Sequence, residues 1–125
     1  MRGLYLLVLL TGCVSADRSA RADDAVAREL AGRVAGEVRS CIPTSPNQGL
    51  TVLDRRTLSY RSGRTVWINR LERDCPGMDQ LSTLVIETRG SQYCRSDPVR
   101  TVHAGASIPG PVCLLGDFTA YRLPQ

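Results

Sequence analysis

The sequence predicts a mainly β domain, a small antiparallel sheet or barrel-like fold that is stapled by two disulfides and preceded by a short N-terminal helix. Three observations support this prediction. From residue 49 onward, short segments rich in β-branched, Leu and aromatic residues alternate with turn signals. Four cysteines in the same region form an even set, as disulfide frameworks do. Before them, an Ala-rich stretch carries apolar residues at helical spacing.

Length and composition indicate one globular domain without a nucleic-acid surface. The chain has 125 residues, 42% of them hydrophobic and 22% charged, so extensive disorder is not expected. The net charge is +4, and all 16 basic residues are Arg. They are scattered, with Arg55-Arg56 as the densest pair, and a basic stripe is lacking. We therefore expect no nucleic-acid partner.

The N-terminus has the pattern of an export signal over residues 1–12. Arg2 supplies a positive charge, and residues 3–10 form an apolar run. That run is too short for a bilayer core, which needs about 20 residues. Residues 10–13, Leu-Thr-Gly-Cys, resemble the lipobox of bacterial lipoproteins. The resemblance implies lipidation of the Cys13 thiol with fatty acyl chains such as palmitate, and cleavage before this residue.

Val14, rather than Asp, follows the lipidated cysteine, which by the same resemblance favours the outer membrane facing the periplasm. The expected partner of the N-terminus is thus a membrane, through the lipid anchor. The alternative is cleavage after Ala16, which would release a soluble periplasmic or secreted protein.

Residues 13–22 are small and polar and are predicted to be a lipidated tether. Residues 23–40 are predicted to be the helix, which opens on two acidic residues and ends before Pro43. Gly32 and Gly36 weaken it by about 1 kcal/mol each relative to Ala. We expect the helix to pack on the domain, with partner binding as the alternative. Its apolar stripe consists of Val26, Leu30, Val34 and Val38.

The disulfide-stapled β domain is predicted to span residues 41–125. The segment at 61–64 is predicted to be a hairpin turn, residues 89–91 another turn, and residues 108–111 a loop imposed by two prolines. Strands are predicted at residues 50–53, 57–60, 65–71, 83–88, 99–103 and 118–123.

The four remaining cysteines are interpreted as disulfide partners, because the absence of a CxxC motif disfavours a zinc ribbon or a redox site. Three pairings are open. We favour Cys75–Cys94 and Cys41–Cys113, because Cys75 and Cys94 each follow a predicted strand and would meet at one end of the sheet. Cys41 would then join the end of the helix to the last strand.

The cysteines and their neighbours form short segments at 41–43, 52–58, 69–71, 75–78, 90–94, Asp97, Val99 and 112–118. These segments resemble a family of small exported proteobacterial proteins of unknown function, over about residues 40–121. This resemblance implies an exported, cysteine-stapled domain and no particular reaction. Two positions depart from the family pattern: members often carry Asp or Asn where Arg55 stands, and Leu where Met78 stands.

Enzyme chemistry finds little support in these residues, and we expect neither a metal nor a cofactor. His103 is the single histidine, and it is interpreted as a strand residue beside Val102. Glu72, Asp74 and Asp79 flank Cys75 and are the candidate carboxylates of a cell-wall hydrolase, although a solvated loop is the simpler interpretation.

Two further carboxylates stand beside turns, Asp54 and Asp97, and the second is expected to hold loop amides as an Asx residue. Trp67 is expected in the core. If it is exposed instead, Trp67 with Tyr60 and Tyr93 forms a candidate ligand platform.

The favoured function is therefore a non-enzymatic binding or structural module of the cell envelope, with another envelope protein or peptidoglycan as its partner. The alternatives are the carboxylate-dependent hydrolase and a small inhibitor of a hydrolase such as lysozyme. An inhibitor needs a protruding loop, and residues 104–111 are the candidate.

Overall fold

The computed structural model describes the backbone of residues 14–125 and the side chains of all of them except residues 14–19 and 22. The predicted fold class is confirmed, because the described chain is mainly antiparallel β with one helix at its N-terminal end. The elements are α1 (Val14–Glu29), β1 (Val34–Arg39), β2 (Cys41–Pro43), β3 (Thr51–Val52), β4 (Thr57–Ser62), β5 (Thr65–Arg70), β6 (Thr83–Ile86), β7 (Gln92–Cys94), β8 (Pro98–Val102), β9 (Cys113–Leu114) and β10 (Phe118–Arg122).

The largest sheet has five antiparallel strands in the order β1-β10-β5-β4-β3. Its centre is the β4–β5 hairpin, in which Ser62 pairs with Thr65 and leaves a two-residue turn. Gly63 occupies that turn at φ 58°, a left-handed conformation that glycine adopts without steric cost. All six predicted strands are present, and the structure adds β1, β2, β7 and β9.

Two smaller sheets complete the domain. The first pairs β2 with β7, and the second has the order β6-β8-β9, again antiparallel throughout. Residues on the inner face of the second sheet, including Val99, Leu84 and Ile86, join the main core. The domain therefore buries one face of the five-stranded sheet beneath the two smaller sheets.

β5 is buried on both of its faces, and this divides the core in two. Trp67 belongs to the main cluster, with Phe118 and Leu58, whereas Val66 and Ile68 belong to a second cluster on the opposite face. That second face is covered by the end of α1. A strand buried on both sides loses simple polar–apolar alternation, and β5 shows a continuous run of buried residues from Val66 to Asn69.

The predicted helix at 23–40 is correct only in its first part. Ala25, Val26 and Leu30 pack on β5, as the packing interpretation requires. The helix ends at Glu29, Gly32 adopts φ 69°, and the chain then enters β1. After the helix, a turn closed by a hydrogen bond from the Arg33 N–H to the Leu30 carbonyl oxygen at 2.9 Å contains the left-handed Gly32. The β-branched residues that follow pair with β10 instead of continuing the helix.

Val34 and Val38 are each 61% exposed on β1, so they do not form the apolar helical stripe that their spacing suggested. α1 begins at Val14 in the structure, within the segment 13–22 that the sequence predicts to be a tether. Cys13 and the signal at 1–12 lie outside the described residues. Within the described part of the chain, no helix has the length and hydropathy that a membrane span requires.

The two disulfides join Cys41 to Cys94 and Cys75 to Cys113, so the favoured pairing of Cys75 with Cys94 and of Cys41 with Cys113 is wrong. The reason is the place of Cys41. It is a strand residue of β2 and lies directly opposite Cys94 of β7, with the Cα atoms 4.0 Å apart. Residues that face each other across an antiparallel pair are near enough for their side chains to be bridged, and Cys113 is not such a neighbour of Cys41. Cys75, fully buried after β5, then reaches Cys113 of β9.

Candidate functional site

The described surface has a cleft of about 560 Å³ between the 44–50 loop and β6. Its apolar floor is formed by Leu50, Leu84, Ile86 and Tyr93, all partly buried against the main core. Every residue that lines the cleft is neutral, and none is a carboxylate, a histidine or a cysteine. The polar rim and walls consist of Thr44, Ser45, Pro46, Asn47, Gln48, Gly49 and Thr88.

The 44–50 loop is held at its start by hydrogen bonds to the domain. The backbone N–H of Thr44 donates to the carbonyl oxygen of Ser91 at 3.0 Å, continuing the β2–β7 ladder. The N–H of Ser45 donates to the hydroxyl oxygen of Tyr60 at 2.9 Å. Within the loop, the N–H of Gln48 donates to the carbonyl oxygen of Ser45 at 3.2 Å. These bonds position the wall of the cleft opposite β6.

Two tyrosines connect this wall to the floor. The rings of Tyr60 and Tyr93 meet edge to face, with their centroids 5.8 Å apart. Burial, and after it the nearby Tyr60 hydroxyl, raises the pKa of Tyr93 above its ordinary value of 10.0. The Tyr93 phenol therefore stays protonated and neutral at physiological pH, where it is a hydrogen-bond donor and acceptor at the floor of the cleft.

The predicted ligand platform of Trp67, Tyr60 and Tyr93 does not form on the surface. Trp67 and Tyr60 are 6% and 2% exposed, so the expectation that Trp67 is a core residue is confirmed. Arg39 covers Trp67, with its guanidinium carbon 5.3 Å from the ring centroid, in a cation–π arrangement. Of the three aromatic residues, Tyr93 alone lines the cleft.

The candidate hydrolase carboxylates lie in the exposed loop between β5 and β6, and none of them lines the cleft. The Asp79 carboxylate accepts a hydrogen bond from the Leu81 N–H at 2.8 Å and one from the Ser82 hydroxyl at 3.2 Å. It therefore caps a turn. Glu72 and Asp74 are exposed residues on either side of Arg73.

Two other aspartates hold turns, as their positions in the sequence predicted. Asp97 is buried, and its Oδ2 accepts a hydrogen bond from the Cys94 N–H at 2.8 Å. The Oδ1 of Asp54 accepts one from the Arg56 N–H at 2.8 Å. His103 is exposed and lies one residue beyond the end of β8, so its predicted place inside a strand is wrong by one residue.

Sequence reasoning did not single out the 44–50 loop, although its composition carries a signal. The segment Thr-Ser-Pro-Asn-Gln-Gly is a run of neutral turn formers between two strands, which identifies a loop but not the wall of a cleft. Among the described residues, no group of three His, Cys, Asp or Glu side chains is arranged to hold a metal ion. Comparison of the chain with protein families, with curated proteins and with solved structures finds no match.

Proposed function

We propose that this protein is an exported lipoprotein of the bacterial cell envelope, anchored through Cys13 in the outer membrane, whose folded domain binds another envelope component without catalysing a reaction. The anchoring part of the proposal rests on the lipobox-like residues 10–13 after a short apolar run. Membership of the family of small exported proteobacterial proteins is part of the same proposal and rests on the ordered cysteines with their neighbours.

The observation that carries the binding role is the cleft between the 44–50 loop and β6. It combines an apolar floor, a polar rim and a defined wall, as ligand sites generally do. Acid–base or nucleophilic catalysis needs titratable or nucleophilic side chains within reach of the ligand. The cleft lining offers the hydroxyls of Thr44, Ser45 and Thr88 and the Tyr93 phenol, which its raised pKa keeps protonated at neutral pH. It offers no carboxylate, histidine or cysteine that could activate a hydroxyl group. A binding site suits this lining better than a hydrolase site.

Intact mass spectrometry of the protein purified from membranes tests the anchoring. The expected mass begins at Cys13 and includes acyl chains, and thiols become available for alkylation only after reduction. An unlipidated mass that begins at Asp17 would contradict the anchored location and favour release into the periplasm or the medium.

Site-specific photo-crosslinking tests the binding role. A photoreactive residue at Asn47, on the rim of the cleft, is compared with one at Arg73, an exposed position in the β5–β6 loop. We expect a discrete crosslinked product in intact cells for the Asn47 position and none for Arg73. Equal crosslinking from both positions, or degradation of purified peptidoglycan by the protein, would contradict a non-enzymatic module that binds through the cleft.

An inhibitor of a hydrolase such as lysozyme is the second candidate, and one observation favours it. The segment between β8 and β9 is exposed over residues 103–109, and Ile108 within it is 81% exposed. The segment is held by a bond from the Gly110 N–H to the Thr101 carbonyl oxygen at 2.8 Å. Inhibition of lysozyme by the wild-type protein, lost in Ile108→Ser and kept in Val112→Ser, would support this candidate.

A further inference from the structure

β6 is the outer strand of the β6-β8-β9 sheet, and two of its residues, Leu84 and Ile86, line the cleft. In an antiparallel pair, alternate residues direct their N–H and C=O groups toward the partner strand and the others direct theirs away. The Glu87 N–H donates to the Pro98 carbonyl oxygen at 3.0 Å, continuing the β6–β8 ladder. Val85 and Thr83 therefore share this inward orientation.

Leu84 and Ile86 consequently direct their backbone groups away from β8. The neighbouring strand β8 supports this orientation. Thr101 is the partner of Leu84, and its carbonyl oxygen faces away from β6, where it accepts a hydrogen bond from the Gly110 N–H. Among the described residues, no hydrogen bond is made by the backbone N–H or C=O of Leu84 or Ile86. Both residues line the cleft, together with Thr88, which continues the alternation.

The β6 edge is short but lacks three other features by which edge strands avoid pairing, namely charges, prolines and bulges. β1, an edge of the five-stranded sheet, has a register shift between Ala35 and Val38 and carries Glu37 and Arg39. β6 has the sequence Thr-Leu-Val-Ile, pairs with β8 without a register shift and carries no charge. It presents a flat, uncharged edge with two unpaired donors and two unpaired acceptors.

We propose that the free edge of β6 receives an extended polypeptide segment of a partner protein, which adds to the sheet as a fourth strand and fills the cleft. An extended segment is the ligand whose own N–H and C=O groups alternate with the period that Leu84 and Ile86 present. The 44–50 loop lines the cleft together with β6, so an added strand would lie between this loop and the β6 edge. The inference rests on the proposed binding function and names its partner class.

The side chains of the cleft define the segment further. Alternate residues of an added strand face the floor, where Leu50 and Tyr93 lie. We expect apolar residues at these alternate positions and neutral residues between them, because no charged residue lines the cleft. Specificity then comes from the floor, and main-chain hydrogen bonds to β6 supply the affinity.

The test begins with selection of heptapeptides from a phage-displayed library on the disulfide-bonded protein, followed by binding measurements on two variants. Ile86→Pro removes a backbone N–H that faces away from β8, and an edge strand tolerates proline at such a position. Ile86→Ala is the matched control, because it also shortens the side chain but keeps the backbone N–H. We expect the selected peptide to bind Ile86→Pro about tenfold or more weakly than Ile86→Ala, since the added strand loses main-chain bonds.

A scan of the peptide backbone gives a second readout on the wild-type protein and does not depend on the folding of any variant. N-methylation of alternate peptide amides should abolish binding, and N-methylation of the intervening amides should leave it within about threefold, because only alternate amides face β6. Sensitivity without this alternation, or equal binding of the peptide to the Pro and Ala variants, would overturn strand addition. If the library yields no peptide that competes with crosslinking from Asn47 at the cleft, strand addition is likewise overturned.

The remaining outcomes separate this inference from the proposed function. Crosslinking from Asn47 that persists in Ile86→Pro would leave the binding role standing and remove strand addition. Self-association of the wild-type protein that is lost in Ile86→Pro, measured by sedimentation, would identify a second copy of this chain as the occupant and overturn the partner segment. If the photoreactive residue at Asn47 gives no crosslinked product in an otherwise unchanged protein, the proposed binding function itself is contradicted.

Discussion

The side-chain amide of Asn69 pairs with both backbone groups of Gly116, a residue 47 positions later in the chain. Asn69 Nδ2 donates to the Gly116 carbonyl oxygen at 2.7 Å, and the Gly116 N–H donates to Asn69 Oδ1 at 2.9 Å. Both residues are buried. The pair joins the end of β5 to the turn before β10, so it sets how the last strand enters the five-stranded sheet.

Replacement of Asn69 by Ala should destabilise the domain by about 2–4 kcal/mol. The change removes two hydrogen bonds and leaves the N–H and C=O of Gly116 buried without partners, at about 1–3 kcal/mol for each unsatisfied group. Urea unfolding with intact disulfides measures the loss. Asn47→Ala, on the exposed loop, is the matched control and should stay within about 0.5 kcal/mol of the wild-type protein. Equal stability of the two variants would contradict the role of the Asn69 amide.

Gly116 is required for a different reason, which is close contact with β5. A Cβ atom at this position would overlap the carbonyl oxygen of Arg70, a backbone atom that cannot move aside cheaply. Gly116→Ala should therefore cost about 1–3 kcal/mol or more as an overpacking change. Gly49→Ala, where a Cβ meets nothing within 4 Å, should be neutral or stabilising by about 0.4–1 kcal/mol. Thermal unfolding of the two variants side by side distinguishes these effects, and a neutral Gly116→Ala would disprove the contact.

The disulfide connectivity can be read directly from tryptic peptides, because the four cysteines lie in four different fragments. Digestion without reduction should link residues 40–55 to residues 90–95 and residues 74–89 to residues 101–122. A link between fragments 74–89 and 90–95 would instead restore the pairing that the sequence favoured. The assignment requires only the masses of the linked pairs before and after reduction.

Removal of one disulfide should also cost a large part of the domain's stability. The bridges close segments with sequence separations of 53 and 38 residues, and each is worth about 4 kcal/mol on the chain-entropy model. We expect the Cys75→Ala/Cys113→Ala protein to lose about this amount in urea unfolding, compared with a total of about 5–15 kcal/mol for a typical domain. An unchanged unfolding midpoint would show that the bridge does not constrain the unfolded chain.

The stability of the β1–β10 pair should depend on acid pH through Glu37. Two hydrogen bonds from Arg122, at 2.6 and 2.7 Å, lower the pKa of Glu37 from 4.5 to about 2. A carboxyl group with a depressed pKa adds stability above its unfolded-state value. That contribution is lost as pH falls from about 4.5 toward about 2, where the folded protein also takes up the proton.

Glu37→Gln tests this dependence. The stability of the variant should differ most from that of the wild-type protein at neutral pH. This difference in stability should shrink as the pH falls from about 4.5 toward about 2. Arg122→Gln should lose the same pH-dependent part, and the double variant should lose no more than either single change, because the pair acts as a unit. Urea midpoints measured across the acid range give the comparison. A difference that is constant with pH would show that the ion pair does not shift the Glu37 pKa.

The strands could be predicted largely from local sequence, since β-branched and aromatic segments between glycine or proline turns leave few alternatives. Residues 57–60 and 65–71 illustrate this, and they became the central hairpin. The missed strands are of two kinds. β2, β7 and β9 have two or three residues each, too few to show a period, and β1 lies within a stretch whose apolar spacing fits a helix.

The cleft could not have been predicted, because its two walls are far apart in the chain. The 44–50 loop and β6 meet only when β2 pairs with β7 and β6 pairs with β8. The residues that the sequence marked for chemistry, namely Glu72, Asp74 and Asp79, are prominent because they cluster along the chain. That clustering places them in one exposed loop and not in the cleft.

The sequence by itself determined the class of the fold, most of its strands, the β4–β5 hairpin turn and the pairing of all four cysteines into two bridges, because these follow from local conformational preference and from counting. Tertiary structure alone decided which cysteines pair, where the helix ends and which backbone edge stays open. Each of these depends on which strand lies beside which. Cys41 joins Cys94 because β2 lies against β7, and Leu84 and Ile86 keep unpaired backbone groups because no described strand lies beyond β6.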